Sequence, residues 1–285
     1  VCCIFRDYGF RRMRTKARLK FLLAEWGTEK FRQILQDEYL GYALPDGPAA
    51  PTPQTVGDHV GIHKQKDGKN FIGVTPFVGR VSGQILFDLA DILEKYGSKR
   101  LRTTPHQKLV LLDIADEHLD AIVADLEAIG LSAKPSPFKR STIACTGIEF
   151  CKLAIVETKA TATETVKTLE RKLVDVQIGR PISLHINGCP NSCARIQTAD
   201  IGLKGQLLPD GNGGTSPGFQ VHLGGGLATK DRDEAGLGRT VRGLKVTADE
   251  LPDYVERLVR RFEADKDGDE TFASWAHRAE EEALQ

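Results

Sequence analysis

The stretch HINGCPNSCARIQTADIG, residues 185–202, decides how the rest of this chain is interpreted. It holds Cys189 and Cys193 with three residues between them, and the neighbouring Gly, Pro, Asn and Ser favour tight turns. A second pair, Cys145 and Cys151, lies upstream in ACTGIEFCKLA, also among small residues. Four thiolates from two compact loops can hold a metal centre. The pattern therefore predicts that these four cysteines are metal ligands.

The residues alone leave three kinds of site open. A [4Fe–4S] cluster takes one thiolate for each of its irons. A structural zinc site also uses four cysteines, but its paired ligands usually have roughly two to four residues between them, and Cys145 and Cys151 have five. Disulfides are rare in the cytoplasm, which is the location predicted from the lack of a signal peptide or long apolar segment. These points favour a cluster over zinc and leave the adjacent Cys2 and Cys3 as ordinary reduced thiols.

Positive charge is concentrated near the start of the chain, although the whole chain is balanced. Formal net charge is zero, with 39 basic and 39 acidic residues, which argues against a general nucleic-acid-binding protein. Arg14, Lys16, Arg18 and Lys20 recur at every second position. They would share one face of an extended segment, whereas a helix would place Arg14 beside Arg18 and Lys16 beside Lys20. The segment predicts either a solvated surface or a site for anions, because Arg and Lys donate strongly to oxyanions.

The middle of the chain has the pattern of a two-layer α+β unit. A helix is predicted from about Leu19 to Gly27, followed by a proline-rich linker over residues 43–56. Strands are then predicted over residues 59–64, 71–78, 100–104 and 108–113, with a KDGK hairpin turn between the first two. Two helices ending at Gly97 and Gly130 accompany them. Their apolar faces consist of Ile85, Leu86, Leu89, Ile92 and Leu93 in one helix and Leu119, Ile122, Val123 and Leu126 in the other. Helices layered on such a sheet form a ferredoxin-like arrangement.

The region that begins near Phe138 predicts a second domain around the cysteines. A strand over residues 181–186 leads directly into the second cysteine pair. A turn or short helix beginning at Asn191 would direct backbone N–H groups toward the sulfurs. His185 lies on the predicted strand and is expected to be a core histidine. The segment LLPDGNGGTSPG predicts an exposed hairpin tip.

Two segments, TIACTGIEFCKLA and HINGCPNSCARIQTADIGLKG, resemble the signature of the nitrite and sulfite reductases that carry sirohaem and a [4Fe–4S] cluster. The resemblance extends in both directions. FRDYGFRRMRTKARLKFLLAEWGTEKFR is similar to the family's anion-binding segment, and LGRTVRGLKVTADELPDYVERLVRRF is similar to its C-terminal end. FIGVTPFVGRVSGQILFDLADILEKYG and LRTTPHQKLVLLDI are similar to its ferredoxin-like half-domain. The cysteine motif is the most specific part. His106 departs from the Arg or Asn of related sequences, which leaves its role open.

The resemblance implies a reaction and a set of cluster ligands. The reaction would be a six-electron reduction of sulfite to sulfide or of nitrite to ammonia, with electrons from ferredoxin. Cys145, Cys151, Cys189 and Cys193 would hold the cluster. Cys193 would also bridge the cluster to the sirohaem iron, so that sirohaem and [4Fe–4S] are the implied cofactors.

The resemblance also implies roles for cationic residues. Arg18 and Lys20 match the family's pair that holds the substrate, and Lys at the second position is the sulfite-type pattern. The sirohaem carboxylates would be met by further cations at four positions, namely Arg14, Lys16, Arg239 and Arg242. The last two lie in the glycine-rich stretch HLGGGLATKDRDEAGLGRTVRG, which is otherwise expected to be a surface loop.

Three parts of the chain follow from this resemblance. They are a basic anion-binding segment and linker (1–55), a ferredoxin-like half-domain (56–135) and a sirohaem/[4Fe–4S] α/β domain (136–285), which together give an α+β fold. Related reductases are about twice as long and contain two repeats, whereas this chain has one half-domain and no internal repeat. A missing N-terminal half or partner chain is therefore expected. The alternatives are a truncated, non-catalytic iron–sulfur protein and one half of a split reductase, and no membrane or nucleic-acid partner is expected.

Overall fold

The computed structural model describes residues 1–53, 57–228, 236–241 and 243–285, and it divides into the units Val1–Pro51 and Thr52–Gln285. The first unit is helical. Its elements are α1 (Cys2–Tyr8), α2 (Leu19–Ile34) and a π-helical turn (Leu35–Leu40). Ile4, Leu22 and Phe31 form its small buried core. No helix among the described residues combines the length and the apolarity needed to span a bilayer.

Gly27 ends the first of two helical segments in α2. Its φ of 75° and ψ of 166° are not helical, and a second helical segment continues from there to Ile34. Glycine adopts this conformation at little cost because it has no Cβ. The predicted end of a helix at Gly27 is therefore confirmed, whereas the sequence did not predict the second helical segment that follows the kink.

The second unit opens with a four-stranded antiparallel sheet. Its strands are β1 (Gly61–Lys64), β2 (Asn70–Val74), β3 (Leu101–Thr103) and β4 (Leu109–Ile114), in the order β1–β2–β4–β3. Two helices, α3 (Gly83–Lys95) and α4 (Leu119–Ala128), accompany the strands along the chain. Their buried residues share one core with the strand residues Ile72, Val74, Leu109 and Leu111. The predicted ferredoxin-like α+β arrangement is confirmed.

The turns of this sheet follow the glycine signals. Gly68 has a φ of 86°, and the Gln65 N–H donates to the Lys69 carbonyl at 2.8 Å, which closes the predicted hairpin between β1 and β2. Gly97 and Gly130 have φ values of 71° and 82° just beyond α3 and α4. Left-handed residues at these positions satisfy the last carbonyls of a helix and stop it.

A second, mixed sheet occupies the rest of this unit. In chain order its elements are α5 (Pro137–Ser141), β5 (Thr142–Ala144), α6 (Lys159–Lys172), β6 (Leu184–Asn187), β7 (Ile201–Pro209), β8 (Thr215–Leu223), β9 (Lys245–Thr247), α7 (Leu251–Asp265) and α8 (Phe272–Arg278). The strands lie in sequence order; β5, β6 and β7 are parallel, and β8 and β9 are antiparallel additions. The exposed tip predicted in LLPDGNGGTSPG joins β7 and β8.

The two parallel connections of this sheet differ. Helix α6 crosses from β5 to β6, whereas the crossover from β6 to β7 consists of residues 188–200 and contains only a 3₁₀ turn, Ile196–Thr198. This crossover lies directly against β7, because a Cβ on Gly202 would be 1.9 Å from the Ile196 carbonyl oxygen. The second cysteine pair is thus carried by a short loop pressed onto the sheet.

Two predicted strands differ from the observed ones. The strand predicted over 71–78 ends at Val74, because the Thr75 N–H donates to the Ser132 carbonyl and Pro76 has no N–H to continue the ladder. The strand predicted over 181–186 begins only at Leu184. The Ser183 N–H, just before it, donates to the Asp200 carboxylate at 2.8 Å.

One prediction about a single residue is corrected and another is resolved. Leu86 is 47% exposed, whereas Leu89, one turn on, is 1% exposed, so the buried face of α3 is narrower than predicted. Of the two conformations predicted at Asn191, the structure has the turn and not the helix, because Ser192 follows with a left-handed φ of 58°.

Leu86 and Leu89 of α3 provide a direct test of this packing. We expect Leu89→Ala to lower the free energy of unfolding by about 2–5 kcal/mol, because it leaves a cavity in the core. Leu86→Ala changes an exposed side chain and should alter stability by less than about 0.5 kcal/mol. Denaturant unfolding of both variants measures the difference, and equal losses would contradict the observed orientation of the helix.

Candidate metal centre

The two cysteine loops meet because they follow adjacent parallel strands. Cys145 comes directly after β5, and Cys189 comes two residues after β6. The carboxyl ends of parallel strands lie at the same edge of a sheet, where α/β proteins commonly bind their ligands. The Cys145 N–H donates to the Ile186 carbonyl at 2.9 Å, and the Gly188 N–H lies 3.2 Å from the Cys145 Sγ. A backbone donor of one loop therefore points at a thiol of the other.

The segment after Cys151 is bound back onto the second loop. The Ile155 N–H donates to the Gly188 carbonyl at 2.7 Å, and the Cys151 N–H donates to the Gly147 carbonyl at 3.0 Å. Gly188 has no space for a side chain, since a Cβ there would be 2.9 Å from the Val156 carbonyl oxygen. These contacts hold both loops against each other at one edge of the sheet.

The four thiols differ in exposure. Cys189 is buried, Cys145 and Cys151 are partly buried, and Cys193 is exposed. Cys193 is followed closely by Arg195, which has a left-handed φ of 58° and whose N–H donates to the Ser192 carbonyl at 2.9 Å. Cys193 is thus the thiol of this set that a second group can reach most easily.

The four cysteines are available as metal ligands, because none of them forms a disulfide. All six cysteines are free thiols, which excludes the disulfide interpretation for this structure. In the part of the chain that the structure describes, no three His, Cys, Asp or Glu side chains are grouped to hold one metal ion. A zinc site draws all four sulfurs to about 2.3 Å from one atom. A [4Fe–4S] cluster gives each thiolate its own iron, so its ligands stand farther apart, and N–H groups directed at sulfur tune it.

Gln107 and Lys159 support the first cysteine loop, although the spacing of the cysteines does not point to either residue. The Gln107 amide bonds to Ala144 in both directions, donating to its carbonyl at 2.7 Å and accepting from its N–H at 3.3 Å. Lys159 donates from Nζ to the Val78 carbonyl at 2.5 Å and to Gln107 Oε1 at 3.4 Å. Burial lowers the pKa of Lys159 to about 8. Gln107 lay inside LRTTPHQKLVLLDI, but no local pattern separates it from its neighbours.

The predicted cationic residues of the first unit are all exposed. Arg14 and Lys16 lie in a 3₁₀ turn, Arg18 is extended with φ −141° and ψ 144°, and Lys20 lies in the first turn of α2. The segment is therefore neither the continuous strand nor the continuous helix considered from the sequence. Arg18 donates from Nη1 to the Ala17 carbonyl at 3.0 Å. The positive charges therefore face solvent.

The two arginines of the glycine-rich stretch that were predicted as carboxylate partners, Arg239 and Arg242, have different outcomes. Arg239 Nη1 donates to the carbonyls of His277 and Ala279 at 3.2 and 3.3 Å, at the end of α8. Cations stabilise the carboxyl ends of helices in this way. A cofactor carboxylate would have to use the other donors of Arg239. Arg242 lies outside the described residues.

A cavity of about 370 Å³ is lined by residues near the beginnings of β5 and β6 and by Arg195, two residues after Cys193. His185 and His106 contribute to its lining together with Asp58 and Arg140. Arg140 forms a bidentate pair with Asp58, with N–O distances of 2.6 and 2.9 Å. Burial alone would raise the pKa of Asp58, but the hydrogen bonds from Arg140 hold it below its usual value. His185 is buried, as predicted, and burial lowers its pKa to about 4.

Comparison with family models identifies the chain. The nitrite and sulphite reductase 4Fe-4S domain matches residues 1–44 and 136–285, and the nitrite/sulfite reductase ferredoxin-like half domain matches residues 63–129. The chain therefore belongs to the nitrite and sulfite reductase family, as the cysteine motif predicted.

Individual relatives agree with this assignment. The chain is 54% identical over 287 residues to "Sulfite reductase [ferredoxin] 1" of Mycolicibacterium paratuberculosis, covering 100% of this chain and 51% of that protein. It is 34% identical over 283 residues to the assimilatory ferredoxin-dependent nitrite reductase of Haloferax mediterranei, covering 95% of this chain and 47% of that protein. The solved structure of the Mycobacterium tuberculosis NirA protein superposes with a TM-score of 0.94 at 53% identity, over 99% of this chain and 51% of that one. The chain spans about half the length of the curated relatives it matches.

The buried His185 makes stability depend on pH. Its pKa of about 4 lies below the ordinary value of 6.5, so the unfolded chain takes up a proton first as the pH falls. We expect the stability associated with neutral His185 to be fully present above pH 6.5. The free energy of unfolding should then fall by about 3 kcal/mol on acidification to pH 4. Denaturant unfolding at several pH values should show a shallower decline for His185→Gln than for the parent chain. Parallel declines would show that His185 is not buried in neutral form.

Proposed function

We propose that this chain forms part of a reductase that uses sirohaem and a [4Fe–4S] cluster to reduce sulfite to sulfide with electrons from ferredoxin. The single observation that carries the proposal is the meeting of the two cysteine loops at the carboxyl edge of β5 and β6, with the Gly188 N–H directed at Cys145 Sγ. Identity to ferredoxin-dependent sulfite reductase extends over the full length of the chain, which supports sulfite as the substrate. Nitrite is the alternative, since nitrite reductases are also relatives.

Residues of this chain would hold both cofactors. Cys145, Cys151, Cys189 and Cys193 would each bind one iron of the cluster, and the exposed Cys193 would also contact the sirohaem iron. When bound, the two cofactors supply single-electron storage and an iron at which an oxyanion can be reduced. The protein's contribution is to orient these groups and to supply positive charge and protons.

The basic segment of the first unit would bind anions. We assign the substrate oxyanion to Arg18 and Lys20, because charged donors hold oxyanion oxygens and can provide protons as those oxygens leave. Sirohaem carboxylates are assigned to Arg14 and Lys16, with Arg239 and Arg242 as further candidates. The exposure of the four cations in the first unit is consistent with both assignments.

The proposal has consequences for partners and location. Because the chain spans about half the length of its relatives, a preceding half or a partner chain would complete the sirohaem pocket. The whole enzyme would act in the cytoplasm on a small anion, and ferredoxin would be its protein partner. An iron–sulfur protein without sirohaem is a second candidate, because both cysteine loops belong to the second unit alone.

The cofactor assignment is tested by the anaerobic absorption spectrum of the chain, produced with sirohaem synthesis available. We expect about four irons and four labile sulfides per chain together with sirohaem bands. Cys193→Ser should lose both signals, whereas Cys2→Ser, which changes an exposed thiol outside the two loops, should keep them. Iron and sulfide without sirohaem bands would show that this chain alone does not retain sirohaem, and would favour the second candidate if the bands also stay absent when the half that completes the pocket is supplied. A chain without iron would refute both.

Lys20 is tested in enzyme that carries both cofactors. We expect Lys20→Met to reduce sulfite turnover about 100-fold while sirohaem content stays constant, because the variant lacks a charged donor to the oxyanion. Lys30→Met removes another exposed lysine of α2 and should leave turnover unchanged. Loss of sirohaem from Lys20→Met would reassign this lysine to the cofactor carboxylates, and unchanged turnover would remove it from the mechanism.

A further inference from the structure

Asn187 is a polar side chain in a place where polar groups are rarely tolerated. It is the last residue of β6, two positions before Cys189, and it is completely buried at 0% exposure. A buried amide that lacks hydrogen bonds is destabilising, because it has lost its bonds to water, so such a residue persists only where its bonds are made within the protein. The hydrogen-bond partners of the Asn187 side chain therefore indicate its structural role.

The Asn187 amide joins the two ends of the second cysteine loop. Its Oδ1 accepts the Ala194 N–H at 2.7 Å, and its Nδ2 donates to the Cys189 carbonyl at 3.4 Å. Ala194 directly follows Cys193. The Asn187 side chain therefore bonds the backbone of Cys189 and the backbone next to Cys193. An apolar residue could make neither bond, and serine or threonine would be too short to span the loop.

The same face of β6 supports the loop at a second point. His185 lies two residues before Asn187 and therefore projects to the same side of the strand. Its Nδ1 lies 3.3 Å from the Arg195 carbonyl oxygen, and because a carbonyl can only accept, Nδ1 carries the proton. Asn187 and His185 thus bind the adjacent loop residues Ala194 and Arg195.

The loop requires such support because its own backbone is unfavourable. Ser192 and Arg195 both have a φ of 58°, which side chains with a Cβ rarely adopt. Such a residue is strained and persists only where the surrounding structure enforces its conformation. Cys193 lies between these two residues, so any relaxation of the loop would move its thiol.

The strand next to β6 leaves Asn187 no freedom to shift. A Cβ on Gly205 of β7 would lie 2.8 Å from the Asn187 carbonyl oxygen and 2.7 Å from the Gly188 carbonyl carbon. The backbone of Asn187 is therefore held against β7, and its side chain projects from a fixed point into the loop.

We propose that Asn187 is a positioning residue that fixes the Cys189–Cys193 loop in the conformation that presents both thiolates to the cluster. The inference rests on the proposed cluster, and it adds that retention of the cluster depends on a side chain that does not touch iron. Residues that orient metal ligands typically change metal affinity about 10- to 100-fold when they are replaced.

The experiment measures anaerobic iron release to a ferrous chelator from the cluster-loaded chain. Asn187→Leu and the smaller Asn187→Ala should each release iron at least about tenfold faster than the parent. Asn70→Leu is the matched control. Asn70 is also buried, at 2% exposure, and its Nδ2 donates to the Ile114 carbonyl at 3.1 Å and to the Asp116 carboxylate at 2.7 Å, but in the other sheet. That variant should lose stability and still release iron at the parental rate.

A second measurement does not require the cluster. In the metal-free chain, hydrogen exchange at the Ala194 amide should be about tenfold faster in Asn187→Ala than in the parent, because its acceptor is gone. Parental exchange and parental iron release in Asn187→Ala would overturn the inference. Equally fast release from Asn70→Leu would also overturn it, because the effect would then be general destabilisation. A parent chain that takes up no iron would refute the proposed function and this inference with it, an outcome that is recognisable before any variant is compared.

Discussion

The parallel pairing of β5 with β6 is the constraint on which the cysteine site depends. The strand β5 has only three residues, so the ladder continues into Cys145, whose N–H bonds to the Ile186 carbonyl. A register shift of one residue would turn the side chains of β5 to the opposite face of the sheet and separate the loops. Close backbone packing resists such a shift, because Gly205 and Gly188 lie where no side chain would fit. The position of the candidate metal centre is thus a consequence of how β5 and β6 end.

The ferredoxin-like half-domain contributes a residue that supports the first cysteine loop of the mixed sheet. Gln107 precedes β4 with a left-handed φ of 58°, and its amide acts as an additional strand residue beside Ala144. Gly79 makes this approach possible, because a Cβ there would be 2.6 Å from Gln107 Cβ. Lys159 adds a partly buried positive charge to the same network. The half-domain therefore supports the first cysteine loop in addition to forming its own core.

The residues proposed to bind anions and the cysteines proposed to bind the cluster lie in different parts of the chain. The four cysteines of the two loops and the residues that support them lie in the second unit, whereas the exposed cations Arg14 to Lys20 lie in the first. Family membership is shown across both, since the same family model matches residues 1–44 and 136–285. With about half the length of its relatives, the chain contains the two cysteine loops, and the proposed chemistry on an oxyanion additionally requires sirohaem and ferredoxin.

The sequence by itself determined the ligand candidates, the family and most helices and strands, because cysteine spacing, turn glycines and apolar periodicity are local properties. Gly68, Gly97 and Gly130 end or turn elements where predicted. Only the tertiary structure decided that Leu86 is exposed, that a second helical segment follows Gly27 and that the chain at Asn191 forms the turn and not the helix, because packing and backbone geometry override propensity. The roles of Gln107 and Lys159 also required it. Their partners lie 37 and 52 residues away along the chain, a distance that no local pattern encodes.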